Sequence, residues 1–210
     1  MQSTYQGQFG EFTIDDHDRQ GVIVYRAGLT VSAIAFAAAA GVVLAGGNLG
    51  WVTPLYLVFW AALGVSLFTI HIYFAPLHRA LQIFWAIGGL ASLWIAGQKS
   101  VSIALFVYQH PIWIFGVGFV FAALTGIFFK EAFCFNRFET KLLTPIVPVL
   151  LLGHLTGWLS VLAEQILLGS WAVLFLVFVV RKAIQAIPPD IGDKSVFEYL
   201  ANKKLKNNDF

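Results

Sequence analysis

Residues 28–45 read GLTVSAIAFAAAAGVVLA, an apolar run that contains no charged residue. A helix needs about 20 predominantly apolar residues to cross the hydrocarbon core of a bilayer. Five further apolar runs follow, near residues 53–74, 80–96, 111–129, 142–162 and 166–180. The chain is therefore predicted to be an all-α, polytopic transmembrane helical bundle with about six spans.

The basic residues between these runs indicate the orientation of the bundle. With six spans, 12 of the 13 Lys and Arg residues fall on the side that carries both termini, and Lys99 falls on the other. Short cytoplasmic loops of membrane proteins are enriched in Lys and Arg. We expect the N and C termini to share the cytoplasmic, or stromal, side of the membrane.

The composition excludes a soluble globular domain. Hydrophobic residues make up 59% of the chain and charged residues 11%, and the mean hydropathy is +0.78. Six spans in 210 residues leave no room for a separate soluble catalytic domain. The small net charge of +2 reflects the loop bias, so no nucleic-acid role is indicated. The single cysteine, Cys134, rules out an internal disulfide.

Three regions are predicted along the chain. Residues 1–27 form a polar N-terminal tail, residues 28–182 form the transmembrane domain, and residues 183–210 form a C-terminal tail. In the C-terminal tail, Asp193 is expected to cap a short amphipathic helix that reaches Lys204.

Two boundaries stay open. Residues 101–108 are apolar but too few to cross a bilayer, so they either extend the fourth span as a kinked helix or form an interfacial turn. A tight turn near residues 163–165 is expected to separate the fifth and sixth spans. If these two spans were one bent helix instead, the termini would lie on opposite sides.

Small residues recur at every fourth position in the first, third, fourth and fifth spans, as in the series Ala33, Ala37, Gly41 and Ala45. Such rows lie on one helix face and let backbones approach closely. We expect these four spans to pack together. The second and sixth spans, rich in Phe, Leu and Val, are expected to face lipid or a partner.

Few residues inside the spans could bind a cofactor. His71 and His154 are candidate pigment ligands, for chlorophyll above all, although a histidine hydrogen-bonded to a neighbouring helix is the commoner arrangement. With a rise of about 1.5 Å per residue, the two lie roughly 13 Å apart along the membrane normal, which disfavours a bis-histidine haem. No metal site is predicted.

Catalytic residue patterns are missing from the sequence. It contains no H-E-x-x-H and no G-x-S-x-G motif, so an enzyme is not predicted. Glu164, at an edge of the predicted bilayer, is either a solvated turn residue or a proton or ion site. A transporter or channel for a small neutral solute, with a polar path near Gln82, His154 and Glu164, remains the alternative function.

The connection between the fourth and fifth spans concentrates charge and aromatic residues. Over residues 128–141 it alternates Lys, Glu and Arg with phenylalanines, which is typical of a short interfacial helix or a plain headgroup-level connector. The candidate partner-binding residues in this segment are Lys130, Glu131, Phe133, Phe135 and Arg137.

The same region resembles a known family. The stretch GIFFKEAFCF at residues 126–135, with TPIVP at 144–148 and Gly153-His154, is similar to uncharacterised integral membrane proteins of cyanobacteria and of plastids in plants and algae. The resemblance implies a cyanobacterial thylakoid or plasma membrane and proximity to photosynthetic complexes. The family has no established catalytic motif, so no functional residue is carried over from it.

Together these observations predict a non-enzymatic accessory or assembly factor of photosynthetic membrane complexes. It would act in photosystem biogenesis or pigment delivery by docking onto membrane subunits within the lipid bilayer.

Overall fold

The structure, a computed structural model, describes residues 3–72, 74–98, 102–196 and 199. Two predictions fall outside these residues. They are the position of Lys99 and the end of the C-terminal amphipathic helix at Lys204.

Helices dominate the described chain, which begins with two short strands. The strands are β1 (Ser3–Gln6) and β2 (Glu11–Ile14), and the helices are α1 (Asp16–Leu44), α2 (Val52–Thr69), α3 (Ala75–Gln98), α4 (Ile103–Gln109), α5 (Ile114–Phe135), α6 (Phe138–Leu155), α7 (Val161–Ala183) and α8 (Pro188–Ile191). Within the described residues, six of these helices (α1, α2, α3, α5, α6 and α7) are long and apolar enough to cross a bilayer. The predicted all-α, six-span membrane protein is confirmed.

The N-terminal segment is more ordered than a polar tail. β1 and β2 form an antiparallel hairpin in which Ser3 pairs with Ile14. Asp15 then caps α1 with a complete capping box, because its side chain accepts from the backbone N–H of Asp18 and the Asp18 side chain accepts in return. The first spanning helix therefore begins at Asp16, inside the predicted tail.

The turn between the last two spans lies earlier than predicted. α6 ends at Leu155 and α7 begins at Val161, so the tight turn expected at residues 163–165 is wrong. Gly157, with φ +66°, lets the chain reverse, and the side chain of Ser160 caps α7. Glu164 consequently lies in the first turn of α7.

The apolar segment before the fourth span is a helix of its own. α4 covers Ile103–Gln109 and ends before the Pro111–Trp113 turn that precedes α5, so it does not extend the fourth span. Ser102 caps it with its own side chain, and the Thr53 hydroxyl accepts from the backbone N–H of Ile103 at 3.0 Å. Ile103 and Phe106 are buried, which holds α4 against the ends of the longer helices.

The helix packing differs from the prediction. The predicted contact between the third and fourth spans is confirmed, because Gly88 of α3 lies against the backbone of Val120 in α5. The sequence predicts that the second span faces lipid or a partner; it packs against α1 on one face and exposes Val58, Val65 and Phe68, so the prediction holds for part of its surface only. Gly28 permits this approach, and the Ser66 hydroxyl donates to the Tyr25 carbonyl at 3.0 Å.

The sixth span also contributes to the interior. Trp171, Phe175 and Phe178 of α7 are among the largest fully buried or nearly fully buried side chains. The sequence does not reveal which spans are buried, because lipid tails are as apolar as Leu. A helix that faces lipid and a helix that faces protein therefore have similar compositions.

Candidate functional site

The two helices that carry the predicted partner-binding segment are joined by two residues. α5 continues to Phe135 and α6 starts at Phe138, so the interfacial helix considered for residues 128–141 is not formed. Asn136 adopts the left-handed conformation, φ 52° and ψ 36°, which asparagine tolerates better than most residues. The charged and aromatic residues of this segment therefore project from the ends of two spanning helices.

Three of the charged side chains at this end form a buried cluster. Lys182 Nζ of α7 donates to Glu131 Oε2 of α5 at 2.6 Å and to Asp190 Oδ1 of α8 at 2.5 Å. The three side chains are 1% exposed or less. Buried charges are expensive unless they are paired and hydrogen-bonded, and here each charge meets an opposite one.

Neighbouring groups complete the hydrogen bonding of the cluster. The Tyr25 hydroxyl and Lys130 Nζ donate to Glu131 Oε1 at 3.1 and 2.9 Å. Arg26 Nε donates to Asp190 Oδ2 at 2.9 Å, and the Arg26 guanidinium also donates to the carbonyls of Gln185 and Ala186. The cluster thus ties the start of α1 to the ends of α5 and α7 and to α8.

A second set of contacts joins the two described ends of the chain. Asp193 accepts from the backbone N–H of Gln8 at 2.6 Å, and Lys194 forms an ion pair with Asp18 at 2.7 Å. The ring of Phe9 stacks on Tyr199 at 4.1 Å. The hydrogen bond from Gln8 and those within the 193–195 turn hold the pKa of Asp193 below its ordinary value.

The predicted partner-binding residues divide into two groups. Glu131 and Arg137 are buried, the latter bonded to Gln185, so their charges serve internal contacts. Phe135 lies beneath the Lys182 ammonium, 4.3 Å from Nζ to the ring centroid, in cation–π geometry. Phe133, at 83% exposure, points outward, and Lys130 is largely covered by its ion pair.

Phe133 is one of three exposed phenylalanines near the α5–α6 connection, and we call these three residues the aromatic patch. The other two are Phe129, one turn earlier on α5 and stacked with Phe133 at 6.4 Å, and Phe138, the first residue of α6. Their exposures are 56% for Phe129 and 69% for Phe138. The cluster holds the helix ends, and the patch lies beside it on the surface.

The other half of the bundle contains an apolar cavity of about 430 Å³. It lies among α1, α2, α4, α5, α6 and α7, on the far side of the core from the ion-pair cluster. Four aromatic rings close its inner end: Phe36, Phe59, Phe121 and Trp171. They contact one another in a closed circuit with centroid distances of 4.3 to 5.9 Å, and we call this group the aromatic floor.

A polar group borders the cavity near the start of α7. His154 Nδ1 lies 2.7 Å from Glu164 Oε1, and His154 Nε2 lies 3.1 Å from the Tyr108 carbonyl. The Tyr108 ring also stacks on the His154 ring at 4.5 Å. Burial and then the Glu164 carboxylate raise the pKa of Tyr108. These contacts attach α4 to α6 and α7.

The two candidate pigment ligands occupy different settings. His154 lines the cavity, but both of its ring nitrogens face oxygen atoms, so binding a pigment magnesium requires one of these contacts to open. His71 is half-buried, and its Nδ1 has no hydrogen-bond partner within the described residues. Burial lowers the pKa of His71. His71 does not line the cavity.

Sequence reasoning missed the residues that complete the cluster. By sequence, Tyr25 and Arg26 fall in the predicted N-terminal tail, Lys182 at the end of the predicted transmembrane domain and Asp190 in the predicted C-terminal tail. The sequence does contain a signal for this cluster, because residues of opposite charge occur at the same end of several predicted spans. Charged side chains at a helix end near lipid usually pair with one another. The walls of the cavity carry no comparable signal, since Phe, Val and Leu line lipid, core and cavity alike.

Comparison with protein families gives a match over most of the membrane region. Residues 65–199 match the model of the family described as "Uncharacterized integral membrane protein (DUF2301)". This segment runs from α2 to the C-terminal contacts and contains Glu131, His154, Glu164, Lys182 and Asp190. No curated protein and no solved structure matches the chain significantly. Because the matched segment covers more than half of the chain, the protein belongs to this family of uncharacterised integral membrane proteins.

Proposed function

We propose that this protein is a non-enzymatic accessory factor of photosynthetic membrane complexes, which acts by docking onto their membrane subunits. The observation that supports the proposal best is the aromatic patch of Phe129, Phe133 and Phe138, held beside a buried ion-pair cluster. A patch on fixed helix ends loses little conformational entropy on binding, and buried aromatic anchors carry much of the energy of protein interfaces.

The rigidity of the patch follows from the cluster. Glu131 lies between Phe129 and Phe133 on α5, and its side chain is held by Lys182, Lys130 and Tyr25. Arg137, next to Phe138, bonds to Gln185 beyond the end of α7. The charged residues of the predicted segment therefore orient the phenylalanines, and the phenylalanines are proposed to contact the partner.

The membrane and the partner class rest on the sequence resemblance described above. We propose a cyanobacterial thylakoid or plasma membrane, with both termini on the cytoplasmic or stromal side. Photosystem subunits, in biogenesis or in pigment delivery, are the proposed partners.

The test uses the affinity-tagged full-length chain in mild detergent, mixed with purified photosystem complexes. We expect the wild-type protein to retain photosystem subunits and the double substitution Phe133→Ser and Phe138→Ser to lose them. Phe115→Ser is the matched control, because Phe115 is 63% exposed but lies near the opposite end of α5. Equal retention by the double variant and the wild type would contradict the proposal.

The cavity favours one second candidate, a transporter or channel for a small neutral solute. Glu164 and His154 line the cavity, as that function requires, whereas Gln82 is bonded to the Leu67 carbonyl and does not line it. The aromatic floor closes the inner end, so passage needs a rearrangement of four packed rings. Solute flux into liposomes that contain only this chain tests this candidate.

A further inference from the structure

The cavity has the size and lining of a ligand-binding site. We propose that it binds a neutral single-chain lipid whose headgroup carries hydroxyl or carbonyl oxygens. The chain lies against the aromatic floor, and the headgroup lies beside His154 and Glu164. This site goes beyond the docking function and does not depend on it.

The dimensions of the cavity suit a single hydrocarbon chain. The volume of about 430 Å³ falls within the range of small-molecule pockets. Along α1 the lining runs from Val43 to Phe36, and along α7 it runs from Val161 to Trp171. With a rise of about 1.5 Å per residue, these stretches give a depth of roughly 10 to 15 Å.

The side chains that line the cavity favour an apolar hydrocarbon chain. Phenylalanine, valine, leucine, isoleucine and alanine form most of the wall, and Tyr56 directs its hydroxyl to Ser92, 2.7 Å away. A polar chain would lose hydrogen bonds to water on entry without regaining them here.

The charges at the cavity edge select a neutral headgroup. Glu164 already pairs with His154, and among the described residues that line the cavity none is Lys or Arg. A phosphate or carboxylate headgroup would therefore meet the Glu164 carboxylate without a free cation to offset it. An uncharged hydroxyl or carbonyl oxygen can instead take the place of the Tyr108 carbonyl at His154 Nε2.

The exposed lining residues show where the cavity opens. Val43, Tyr108 and Val161 are the large lining residues with 39%, 49% and 60% exposure. They stand at the end of α1, on α4 and at the start of α7, which together frame the edge of the bundle. A lipid can therefore enter at this end of the bundle, chain first, and leave its headgroup beside His154 and Glu164.

The test uses photoreactive probes with a diazirine in the middle of the chain. Dodecanol and dodecyl phosphate of this type are incorporated separately into phosphatidylcholine nanodiscs with the full-length protein, and adducts are mapped by mass spectrometry. We expect the alcohol to label Tyr56 and Trp171 inside the cavity and the phosphate to label only lipid-facing positions such as Phe68.

Three variants control for binding to the outer surface. Ala40→Phe and Ala104→Trp place a ring in the cavity, and each should lower the interior labelling about tenfold, since a filled interior leaves no room for a chain. Ala104 is exposed, so its variant keeps the test valid if Ala40→Phe fails to fold. Ala61→Phe, on the exposed face of α2, should change nothing.

Three results would overturn the inference: no interior labelling by the alcohol, interior labelling that persists in Ala104→Trp, or equal interior labelling by the phosphate.

Discussion

Lys182 and Glu131 form an ion pair with an Nζ to Oε2 distance of 2.6 Å, and both side chains are almost fully buried. They are 51 residues apart in the chain and stand at the ends of two different spanning helices. Together with Asp190, this pair fixes the relative positions of α5, α7 and α8.

Replacing Lys182 with Met should destabilise the protein strongly. The change leaves Glu131 and Asp190 buried without their shared cation, which typically costs about 3–5 kcal/mol. Chemical unfolding in detergent measures the free energy of unfolding. The control is Lys141→Met, because Lys141 is exposed on α6 and an exposed charge contributes at most about 1 kcal/mol. Equal losses in the two variants would contradict this interpretation.

Replacing each of two glycines of α1 with alanine should change the stability of the protein in opposite directions. At Gly28 an added Cβ meets the Ser66 hydroxyl and the Ala62 carbonyl, so Gly28→Ala should cost about 1–3 kcal/mol through overpacking. At Gly41 nothing lies within 4 Å of an added Cβ. Gly41→Ala should therefore stabilise the helix by up to about 1 kcal/mol. Thermal unfolding of the two variants compares these effects, and a loss at Gly41 would show that α1 packs differently.

His154→Phe should loosen α4 while leaving the bundle folded. The variant keeps an aromatic ring for stacking on Tyr108 but removes the contacts with Glu164 and the Tyr108 carbonyl. The contact with the Tyr108 carbonyl is the one that attaches α4, and a typical hydrogen bond contributes about 0.5–1.5 kcal/mol. Faster amide exchange in Ile103–Gln109 is the expected result. Thr156→Val is the control, because the Thr156 hydroxyl bonds only to carbonyls of its own helix.

Acid should release the contact between the N-terminal hairpin and Asp193. The pKa of Asp193 is lowered in the folded state, so the carboxylate stabilises the contact above its ordinary pKa of about 3.9 and loses this effect as the pH falls through the folded value. Exchange of the Gln8 amide, corrected for the intrinsic pH dependence, should rise in that window. In Asp193→Asn the rise should disappear, and a rise of unchanged size would assign it to another group.

Reporter fusions test the orientation. Because 12 of the 13 basic residues fall on the side of the termini, fusions at Met1 and at Phe210 should both report the cytoplasmic or stromal side. A fusion in the loop that contains Asn48 should report the opposite side. Reports from different sides for the two termini would require an odd number of spans.

The number of spanning helices could be predicted because each span contains a long apolar run, as residues 28–45 illustrate. The residues at which the helices begin and end are harder to predict. α6 starts four residues before the predicted span, at Phe138, because Glu139 and Lys141 continue the helix beyond the apolar run. Pairing of Lys182 with Glu131 depends on how the helices are arranged, and a bundle of similar apolar helices has many arrangements with the same hydropathy.

The candidate site residues could likewise be predicted in part: the sequence identifies them but does not show which way their side chains point. The sequence identifies His154 as a polar side chain within a span, and the structure places it at the cavity. The sequence predicts Glu131 and Arg137 as partner-binding residues, but both are buried, and the sequence does not show this because a charge near a helix end can reach either water or a partner inside the bundle.

The aromatic floor lies between two parts of the interior that are held together by different kinds of contact. On one side, directional ion pairs permit a single arrangement of the helix ends. On the other, most of the wall is apolar and makes no directional contact, and the hydrogen bonds of His154 with Glu164 and the Tyr108 carbonyl lie at its edge. A change in the contents of the cavity can therefore be absorbed locally by α4 and the start of α7, and the paired charges at the opposite end keep their spacing.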